Sequence, residues 1–309
     1  MVSLQENIAL APYTTFKIGG PARWFVSIAT AKELQEAFKW AKEKGIQMFL
    51  LGGGSNILVS DKGFNGLVIH LEQSVPERKD LSLVAFSGAT LSSVVDMARD
   101  CSLEGMQNLA GIPGLVGGAV RGNAGAFGVE MKDVISSVKA LRSETLQEKV
   151  FSNQECHFSY RSSVFKEEGW IVTEVTFTLR PGEKEVLAKT MEEIVAQRNA
   201  KHDQSAFCAG SFFINPVVEK EELRKEFEKE SGSVCRDQKV PAGWLIDKMG
   251  LRGKKMGGAM VSEMHPNYIV NTGDATAEDV IMLMSYIKQQ VRDGLGVQLT
   301  QEVQLVGFD

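Results

Sequence analysis

Hydrophobic and polar positions near the N-terminus follow a strand, helix, strand order. Two apolar runs of strand length, Phe25–Ile28 and Met48–Leu51, flank a segment with helical periodicity. Thr30 supplies an N-cap for the helix predicted over Ala31–Lys44, and Gly45 follows its end. The apolar positions of this helix recur at i, i+3, i+4 and i+7: Leu34, Ala37, Phe38 and Ala41. The pattern therefore predicts a mixed fold of helices and strands.

Strands and helices continue to alternate along the chain. The pair Asn65-Gly66 predicts a turn before the strand Leu67–Leu71. A strand at Leu83–Phe86 precedes a helix that closes at Gly105 and has Leu91, Val94, Val95 and Ala98 on one face. Further strands are predicted at Val134–Leu141, Glu148–Phe151, Trp170–Leu179 and Asn267–Val270. Further helices are predicted over Lys184–Lys201, over Lys220–Ser231 with a solvated charged face, and after a capping box formed by Thr276 and Asp279.

The last part of the chain contains a predicted domain boundary and a final strand. The polar run Arg198–Gln204 predicts the boundary, and Ala209–Pro216 begins the next unit. The final strand alternates, so Glu302 points to the face opposite its apolar residues Val297, Leu299, Val303 and Leu305.

Two glycine-rich segments are the candidate ligand sites. Leu109–Gly128 holds seven glycines among small apolar residues, and Arg121 is its only charged residue. Gly52–Asn56 follows the strand Met48–Leu51 directly. Glycine lets main-chain N–H groups approach an anion without a Cβ in the way, and Pro113 stiffens the entry to the longer loop. Two such loops suit a ligand with a pyrophosphate and a second extended part, such as FAD; a tight crossing of packed elements is the alternative for Leu109–Gly128.

Composition excludes several classes of protein. A chain of 309 residues has room for two or three domains. The net charge of −5 and a pI near 5.6 argue against a general nucleic-acid binder. No apolar run reaches membrane-spanning length, and the first residues lack the features of a signal peptide, so a cytoplasmic protein without a membrane partner is expected.

Cysteine and histidine are sparse and dispersed. The four cysteines, Cys101, Cys156, Cys208 and Cys235, form no C-x-x-C pair, and the histidines form no H-E-x-x-H motif. We therefore expect reduced thiols and no protein-bound metal. A hydrolase is disfavoured because the chain contains no G-x-S-x-G.

Seven motifs, in order along nearly the whole chain, resemble those of the UDP-N-acetylenolpyruvoylglucosamine reductase family, flavoenzymes of peptidoglycan precursor synthesis. They are TTFKIGG (14–20), LLGGGSNIL (50–58), AGIPGLVGGAVRGNAGAFG (110–128), FSYRSSVFK (158–166), AGSFFINP (209–216), PAGWLID (241–247) and QEVQLVG (301–307). Each motif is weak alone, but their order is specific.

The resemblance implies an α+β fold. It comprises a two-subdomain FAD-binding module of the vanillyl-alcohol oxidase-like type and a separate α+β substrate-binding domain. The expected FAD-binding subdomains are residues 1–75 and 76–200, the substrate-binding domain is 201–296, and a C-terminal strand in 297–309 returns to the active site. The short stretch between Arg161 and Ser211 resembles the subclass that lacks an extra tyrosine-bearing loop.

The resemblance also implies the reaction. NADPH delivers hydride to N5 of noncovalently bound FAD, and the reduced flavin passes hydride to C3 of UDP-N-acetylglucosamine-enolpyruvate, forming UDP-N-acetylmuramate. Ser211 would protonate C2, Arg161 would hold the substrate carboxylate and stabilise the enolate, and Glu302 would lie on the other side of the enolate. From the residues alone, Ser211 is equally a turn cap and Arg161 a surface ion-pair partner.

Binding residues follow by motif position. Tyr160, Arg161 and Asn215 would contact substrate. The expected FAD contacts lie in the two glycine-rich segments: Gly52, Gly53, Gly54, Ser55, Asn56, Gly111, Ile112, Pro113, Gly114, Gly117, Gly118, Ala119, Asn123, Gly125 and Ala126. The chain departs from the family pattern at Ile214, where a lysine is common, and in Lys201–Ala209, which lacks a Gln-Pro pair.

Two other functions remain open at this point. One is an oxidase or dehydrogenase of the same FAD-binding superfamily that acts on another substrate. The other is a non-catalytic nucleotide-sugar sensor, which would keep the glycine-rich loops and lose Ser211, Arg161 or Glu302. All three of these residues are present.

Overall fold

The computed structural model describes residues 2–200 and 205–308 of the chain. These residues form two compact units. The first unit comprises Met1–Ile8, Ala22–Gly53 and Asn65–Ala200. The second comprises Ala9–Pro21, Gly54–Phe64 and Lys201–Asp309, so the chain crosses between the units several times before residue 65.

One layer of the first unit is a four-stranded sheet covered by the helix Ala31–Glu43. Its strands are, in order across the sheet, Gln5–Ala9, Pro21–Ile28, Phe64–Leu71 and Met48–Leu51. The helix begins with a reciprocal capping box, in which Thr30 and Glu33 each accept the other's main-chain N–H. The predicted apolar face of the helix is buried in the core of this layer, so both the helix and its cap are confirmed.

A second sheet of the first unit has its own core. Its antiparallel strands are, in order, Glu148–Ser152, Ile135–Arg142, Trp170–Thr178, Ser82–Phe86 and Glu77–Lys79. Its helices are Leu91–Asp100, Val116–Arg121, Val164–Glu167 and Lys184–Asn199. Two short strand pairs complete the unit: Gly125–Ala126 with Val129–Glu130, and Leu103–Glu104 with Arg180–Pro181.

The second unit is a four-stranded sheet packed with helices. Its strands are, in order, Phe207–Ser211, Tyr268–Asn271, Ala259–Val261 and Lys255–Met256. Its helices are Glu221–Ser231, Ala242–Lys248 and Ala277–Leu295, and a parallel pair joins Gln304–Val306 to Ile57–Val59. Single 3-10 turns occur in both units at Ala11–Tyr13, Gln107–Leu109, Met131–Asp133, Gln154–Cys156 and Arg236–Gln238.

The longest helix of the second unit has two caps. Thr276 and Asp279 form the predicted capping box at the start of Ala277–Leu295. Asp61, from a distant part of the chain, also accepts the N–H groups of Ala277 at 2.9 Å and Glu278 at 3.2 Å. The sequence signal for Thr276 is therefore confirmed, and a long-range carboxylate reinforces it.

Four local predictions are wrong. Asn65-Gly66 lies inside the strand Phe64–Leu71, because the turn falls at Asp61–Lys62 and ends at Gly63, whose φ is +81°. The glycine-rich segment is not all loop but contains the helix Val116–Arg121. The helix predicted to close at Gly105 ends at Asp100, before the short strand Leu103–Glu104. Of the final alternating segment, only Gln304–Val306 is a strand.

The division into units bears on the expected domains. The break at Ala200 coincides with the expected start of the substrate-binding domain. Both expected FAD-binding subdomains fall largely in the first unit, whereas the C-terminal segment belongs to the second. Two predictions fall partly outside the described residues. One is the end of a helix at Lys201, and the other concerns Lys201–Gln204 in the segment that lacks the Gln-Pro pair. Within residues 2–200 and 205–308, no helix is long and apolar enough to cross a membrane.

Candidate active site

The loop Gly52–Asn56 presents main-chain donors. The N–H groups of residues 53–56 have no acceptor within residues 2–200 and 205–308. Gly54 has φ of +63°, and a Cβ there would lie 2.1 Å from the carbonyl oxygen of Tyr13. Thr15 donates its main-chain N–H and its hydroxyl to the Gly54 carbonyl at 3.1 and 3.3 Å. Because these N–H groups have no acceptor among the described residues, the loop has a row of donors available for an anion.

The two glycine-rich segments meet in the first unit. A Cβ built on Gly53 would lie 3.2 Å from the Cα of Gly114, closer than side chains normally pack. A Cβ built on Gly52 would lie 3.6 Å from the side chain of Leu115. The structure therefore brings together the two segments that the sequence singled out as cradles.

Glycines of the second segment serve different purposes. A Cβ on Gly117 would lie 2.8 Å from the Cβ of Ser87, so this glycine allows the short helix to pack against a neighbouring turn. A Cβ on Gly118 would meet no heavy atom within 4 Å, and its N–H has no acceptor in the described part of the chain. Gly118 is exposed, and the face of the helix Val116–Arg121 on which it lies is open.

Other residues expected to contact the cofactor have packing roles. Gly125 lies against Glu130, where a Cβ would be 2.7 Å from the glutamate Cγ. Gly111 lies against the end of the helix Lys184–Asn199, with its Cβ position 3.2 Å from Cδ of Arg198. The remaining expected contacts lie near these glycines. Ile112 and Ala119 pack on the core of the second sheet, and Pro113 precedes Gly114. Ala126 pairs with Val129.

The side chain of Asn123 makes hydrogen bonds within the protein, and its predicted contact with the cofactor stays a prediction. Its side chain is fully buried. The amide nitrogen donates to Glu130 Oε2 and to the Ser159 carbonyl, both at 3.0 Å, and the amide oxygen accepts the N–H of Lys132 at 3.1 Å. These bonds commit the side chain to holding neighbouring loops, so only its main chain is left for a ligand.

Arg161 occupies the tip of a tight hairpin. Ser159 and Ser162 exchange main-chain hydrogen bonds of 3.0 and 3.2 Å around Tyr160 and Arg161. The φ of Arg161 is +57°, which is a strained conformation for a non-glycine residue. Its guanidinium carbon lies 5.1 Å from the centre of the Tyr160 ring. Lys166 Nζ also donates to the Arg161 carbonyl at 2.8 Å, so the surrounding segment fixes the tip.

Ser211 ends a strand of the second unit and faces a cavity. It pairs with Tyr268 after a bulge in the strand, and it is half-buried. The cavity has a volume of about 380 Å³, and its polar lining comprises Ser211, Asn215, Asp247, Arg252, His265 and Asn267. The Asn267 amide exchanges hydrogen bonds of 3.0 and 2.8 Å with the main chain of Phe213, which fixes the segment that follows Ser211.

Glu302 lies on the chain segment beside Ser211. Its N–H donates to the Phe212 carbonyl at 2.8 Å, and Phe213 pairs with Gln301. Its own carbonyl accepts from Asn56 Nδ2 at 3.3 Å. The structure thus brings Ser211 and Glu302 to adjacent segments of the second unit, while Tyr160 and Arg161 lie in the first.

Asn215 contributes to the same cavity in part. Its side-chain oxygen accepts the N–H of Ala242 at 3.0 Å and so caps the helix Ala242–Lys248. Its Nδ2 has no hydrogen-bond acceptor within the described residues, and the residue lines the cavity. Ile214, at the position where a lysine is common, places no charge beside it.

Sequence reasoning missed an ion pair in the cavity wall. Arg252 donates to both carboxylate oxygens of Asp247, at 2.6 and 2.8 Å, and to the Glu263 carbonyl at 2.6 Å. The guanidinium lowers the pKa of Asp247, and the carboxylate raises the pKa of Arg252. PAGWLID contains Asp247, but no local signal names Arg252 as its partner.

The remaining candidate groups are the cysteine thiols and the side chains that could bind a metal. None of the four cysteines forms a disulfide bond, and burial raises the pKa of Cys156 to about 12. Among residues 2–200 and 205–308, no group of three or more His, Cys, Asp or Glu side chains is placed to hold a metal ion.

Comparison with known proteins identifies the family. Residues 201–306 match the family UDP-N-acetylenolpyruvoylglucosamine reductase, C-terminal domain, and residues 22–145 match the FAD binding domain family. The chain is 34% identical over 308 residues to the UDP-N-acetylenolpyruvoylglucosamine reductase of Solibacter usitatus, covering 99% of this chain and 97% of that protein. It is 38% identical over 304 residues to the enzyme of that name from Carboxydothermus hydrogenoformans, covering 98% and 93%.

A solved structure agrees with the sequence matches. The crystal structure of UDP-N-acetylenolpyruvylglucosamine reductase from Thermus caldophilus superimposes with a TM-score of 0.78 at 32% identity, covering 99% of this chain and all of that one. Together with the FAD binding domain match, it confirms the predicted fold class of an α+β FAD-binding module and a separate α+β domain. The chain belongs to the UDP-N-acetylenolpyruvoylglucosamine reductase family of FAD-dependent oxidoreductases.

Proposed function

We propose that this chain uses NADPH and noncovalently bound FAD to reduce UDP-N-acetylglucosamine-enolpyruvate to UDP-N-acetylmuramate for peptidoglycan synthesis. The observation that carries the proposal is the loop at residues 53–56, whose N–H groups have no acceptor within the described residues. This loop occurs in a chain whose relatives, similar over their full length, carry the name of that reductase.

The glycine-rich segments suit the diphosphate and the length of FAD. Residues 53–56 and Gly118 supply main-chain donors, and the contact between Gly53 and Gly114 leaves no side chain in the way. We assign the diphosphate chiefly to Gly52–Asn56 and the rest of the cofactor to Gly111–Ala126. Neither segment contains a histidine or cysteine that would tether a flavin, so the cofactor is held without a covalent bond.

Bound FAD supplies the redox chemistry, taking a hydride from NADPH and giving one to C3 of the enolpyruvyl group. The chain must then manage the negative charge that develops at C2. Arg161 holds the adjacent carboxylate, and a bidentate guanidinium also stabilises the enolate. The main-chain hydrogen bonds of the hairpin fix the backbone from which this side chain extends.

Ser211 donates the proton to C2. A serine hydroxyl is a weak acid, so its contribution depends on position, which the Asn267–Phe213 hydrogen bonds fix. Glu302, on the neighbouring segment, is a hydrogen-bonding partner of the enolate. It performs this role protonated or paired with a cation, because a free carboxylate would oppose formation of the anion.

The domain roles follow from these assignments. Residues 1–75 and 76–200 bind FAD, and residues 201–296 bind the UDP-sugar. The segment 297–309, which the structure groups with the second unit, supplies Glu302.

The proposal is tested by substrate-dependent oxidation of NADPH. We expect a yellow protein with absorbance at about 450 nm that releases FAD on acid denaturation. NADPH oxidation under anaerobic conditions should require UDP-N-acetylglucosamine-enolpyruvate and should not occur with UDP-N-acetylglucosamine. Oxidation that requires oxygen and ignores the enolpyruvyl compound would indicate an oxidase instead, and binding of the UDP-sugar without any NADPH oxidation would indicate a sensor.

A further inference from the structure

Arg121 is a charged residue for which the proposed chemistry has no use. Its guanidinium has no hydrogen bond or ion pair within residues 2–200 and 205–308. The residue keeps more than a third of its surface exposed, yet the surrounding protein lowers the pKa of Arg121 by burial. Partial desolvation of an unpaired cation costs free energy that a bound anion would offset.

Glu167, whose charge acts on Arg121, has another partner. The charge of Glu167 opposes the lowering of the Arg121 pKa, but the two side chains form no ion pair. Glu167 accepts a hydrogen bond from Ser162 Oγ at 2.5 Å. Among the described residues, no acidic side chain forms an ion pair with Arg121.

The helix that carries Arg121 has an open face. Arg121 follows Gly118 by three residues in Val116–Arg121, so the two positions share a face. At Gly118 there is no heavy atom within 4 Å of a Cβ position, and its N–H has no acceptor in the described part of the chain. Arg121 is thus attached to the helix whose open face the proposed function assigns to the cofactor, beside which a ligand that reacts with the cofactor must bind.

The same backbone is tied to the Arg161 hairpin. Ser163 Oγ donates to the Arg121 carbonyl at 2.8 Å, and Asn123 Nδ2 donates to the Ser159 carbonyl at 3.0 Å. These two bonds connect residues 121–123 to both ends of the hairpin that carries Arg161. The two arginines therefore belong to one hydrogen-bonded local structure of the first unit.

We propose that Arg121 is a further binding residue, which supplies a second guanidinium to the oxyanions of the UDP-enolpyruvyl ligand that Arg161 binds. The inference rests on the proposed function, because that function assigns Arg161 to this ligand. Two cations on adjacent, anchored segments are suited to an oxyanion with several acceptor positions, either a carboxylate or a diphosphate.

Binding to the oxidised holoenzyme tests the proposal without turnover. Isothermal titration calorimetry without NADPH would compare wild type, Arg121→Met and Arg121→Lys, with UDP-N-acetylglucosamine-enolpyruvate and UDP-N-acetylglucosamine as ligands. Arg121→Met should weaken binding of the enolpyruvyl compound by about tenfold or more, and Arg121→Lys should weaken its binding less. Arg99→Met is the matched control, since it removes the same charge from an exposed ion pair in the same unit and should change neither affinity more than about twofold.

The two ligands distinguish the sources of the oxyanion. Weakened binding of the enolpyruvyl compound alone assigns Arg121 to the carboxylate, and equal weakening of both assigns it to the diphosphate. Either result supports the proposal that Arg121 supplies a second guanidinium to the ligand. Unchanged affinities in Arg121→Met would overturn the inference and leave the proposed function intact. A loss of bound flavin with ligand affinity retained would have the same consequence. If wild type bound neither UDP compound, the proposed function and this inference would both fail.

Discussion

Gly118→Ala adds one methyl group at a position where the protein leaves space. Its φ is not in the left-handed region, and the added Cβ would meet no heavy atom within 4 Å. Gly118 is the third residue of the helix Val116–Arg121, where alanine is favoured over glycine by about 1 kcal/mol. The free energy of unfolding of the apoprotein should therefore stay unchanged or rise by up to about 1 kcal/mol.

The effect on FAD should have the opposite sign. A methyl group on the open face keeps a ligand from the Gly118 N–H, which has no acceptor within residues 2–200 and 205–308. A hydrogen bond to a charged group contributes about 1.5–3 kcal/mol. Its loss corresponds to a rise in the dissociation constant for FAD of about 10- to 150-fold.

The two quantities are measured on the same apoprotein. Quenching of flavin fluorescence gives the affinity for FAD, and urea denaturation gives the free energy of unfolding. Gly117→Ala is the contrasting variant, because its Cβ would lie 2.8 Å from the Cβ of Ser87 and should lower stability. The reasoning is refuted if Gly118→Ala binds FAD within about twofold of wild type, or if its affinity and stability fall together.

Three other substitutions probe the second half of the reaction and the cavity wall. Arg161→Ala should slow flavin reoxidation by the enolpyruvyl substrate far more than flavin reduction by NADPH, since only the substrate has the carboxylate; equal losses in stopped-flow traces would make Arg161 a structural residue. Ser211→Ala should leave flavin reduction within about tenfold of wild type and slow reoxidation by orders of magnitude, with partial recovery in Ser211→Cys; a wild-type rate of reoxidation would move the donor role to Glu302. At pH values above the ordinary aspartate pKa of 3.8, Asp247→Asn should lower the free energy of unfolding, because Arg252 lowers the pKa of the folded carboxyl. The difference should vanish as the pH falls through that lowered pKa. A pH-independent difference in denaturation curves would show that the ion pair is not its source.

Local signals predicted the helices with caps. Thr30 and Thr276 each precede an acidic residue at the third helical position, and both form reciprocal capping boxes. The helix Val116–Arg121 was missed because glycine has low helix propensity, and only burial of Val116 and Val120 stabilises it. The conformation of that segment depends on tertiary packing, which a short window of sequence does not contain.

The candidate site was predictable only where a motif carries it. Glycine spacing indicated both cradles, but the contact between Gly53 and Gly114 depends on the packing of two separate layers. Asn123 was assigned to the cofactor by its position in the family motif, which gives no sign that its side chain bonds to distant loops and leaves only the main chain for a ligand. The Asp247–Arg252 pair was missed since ordinary charged residues give no signal of which partner they will meet.

The most direct test of the account is a single turnover of the wild-type enzyme under anaerobic conditions. One equivalent of NADPH should bleach the flavin absorbance at about 450 nm, and UDP-N-acetylglucosamine-enolpyruvate should then restore it. The restored enzyme should have formed one equivalent of UDP-N-acetylmuramate, which mass spectrometry identifies by the gain of two hydrogens. A reduced flavin that stays bleached until oxygen is admitted, with the enolpyruvyl compound recovered unchanged, would contradict the account.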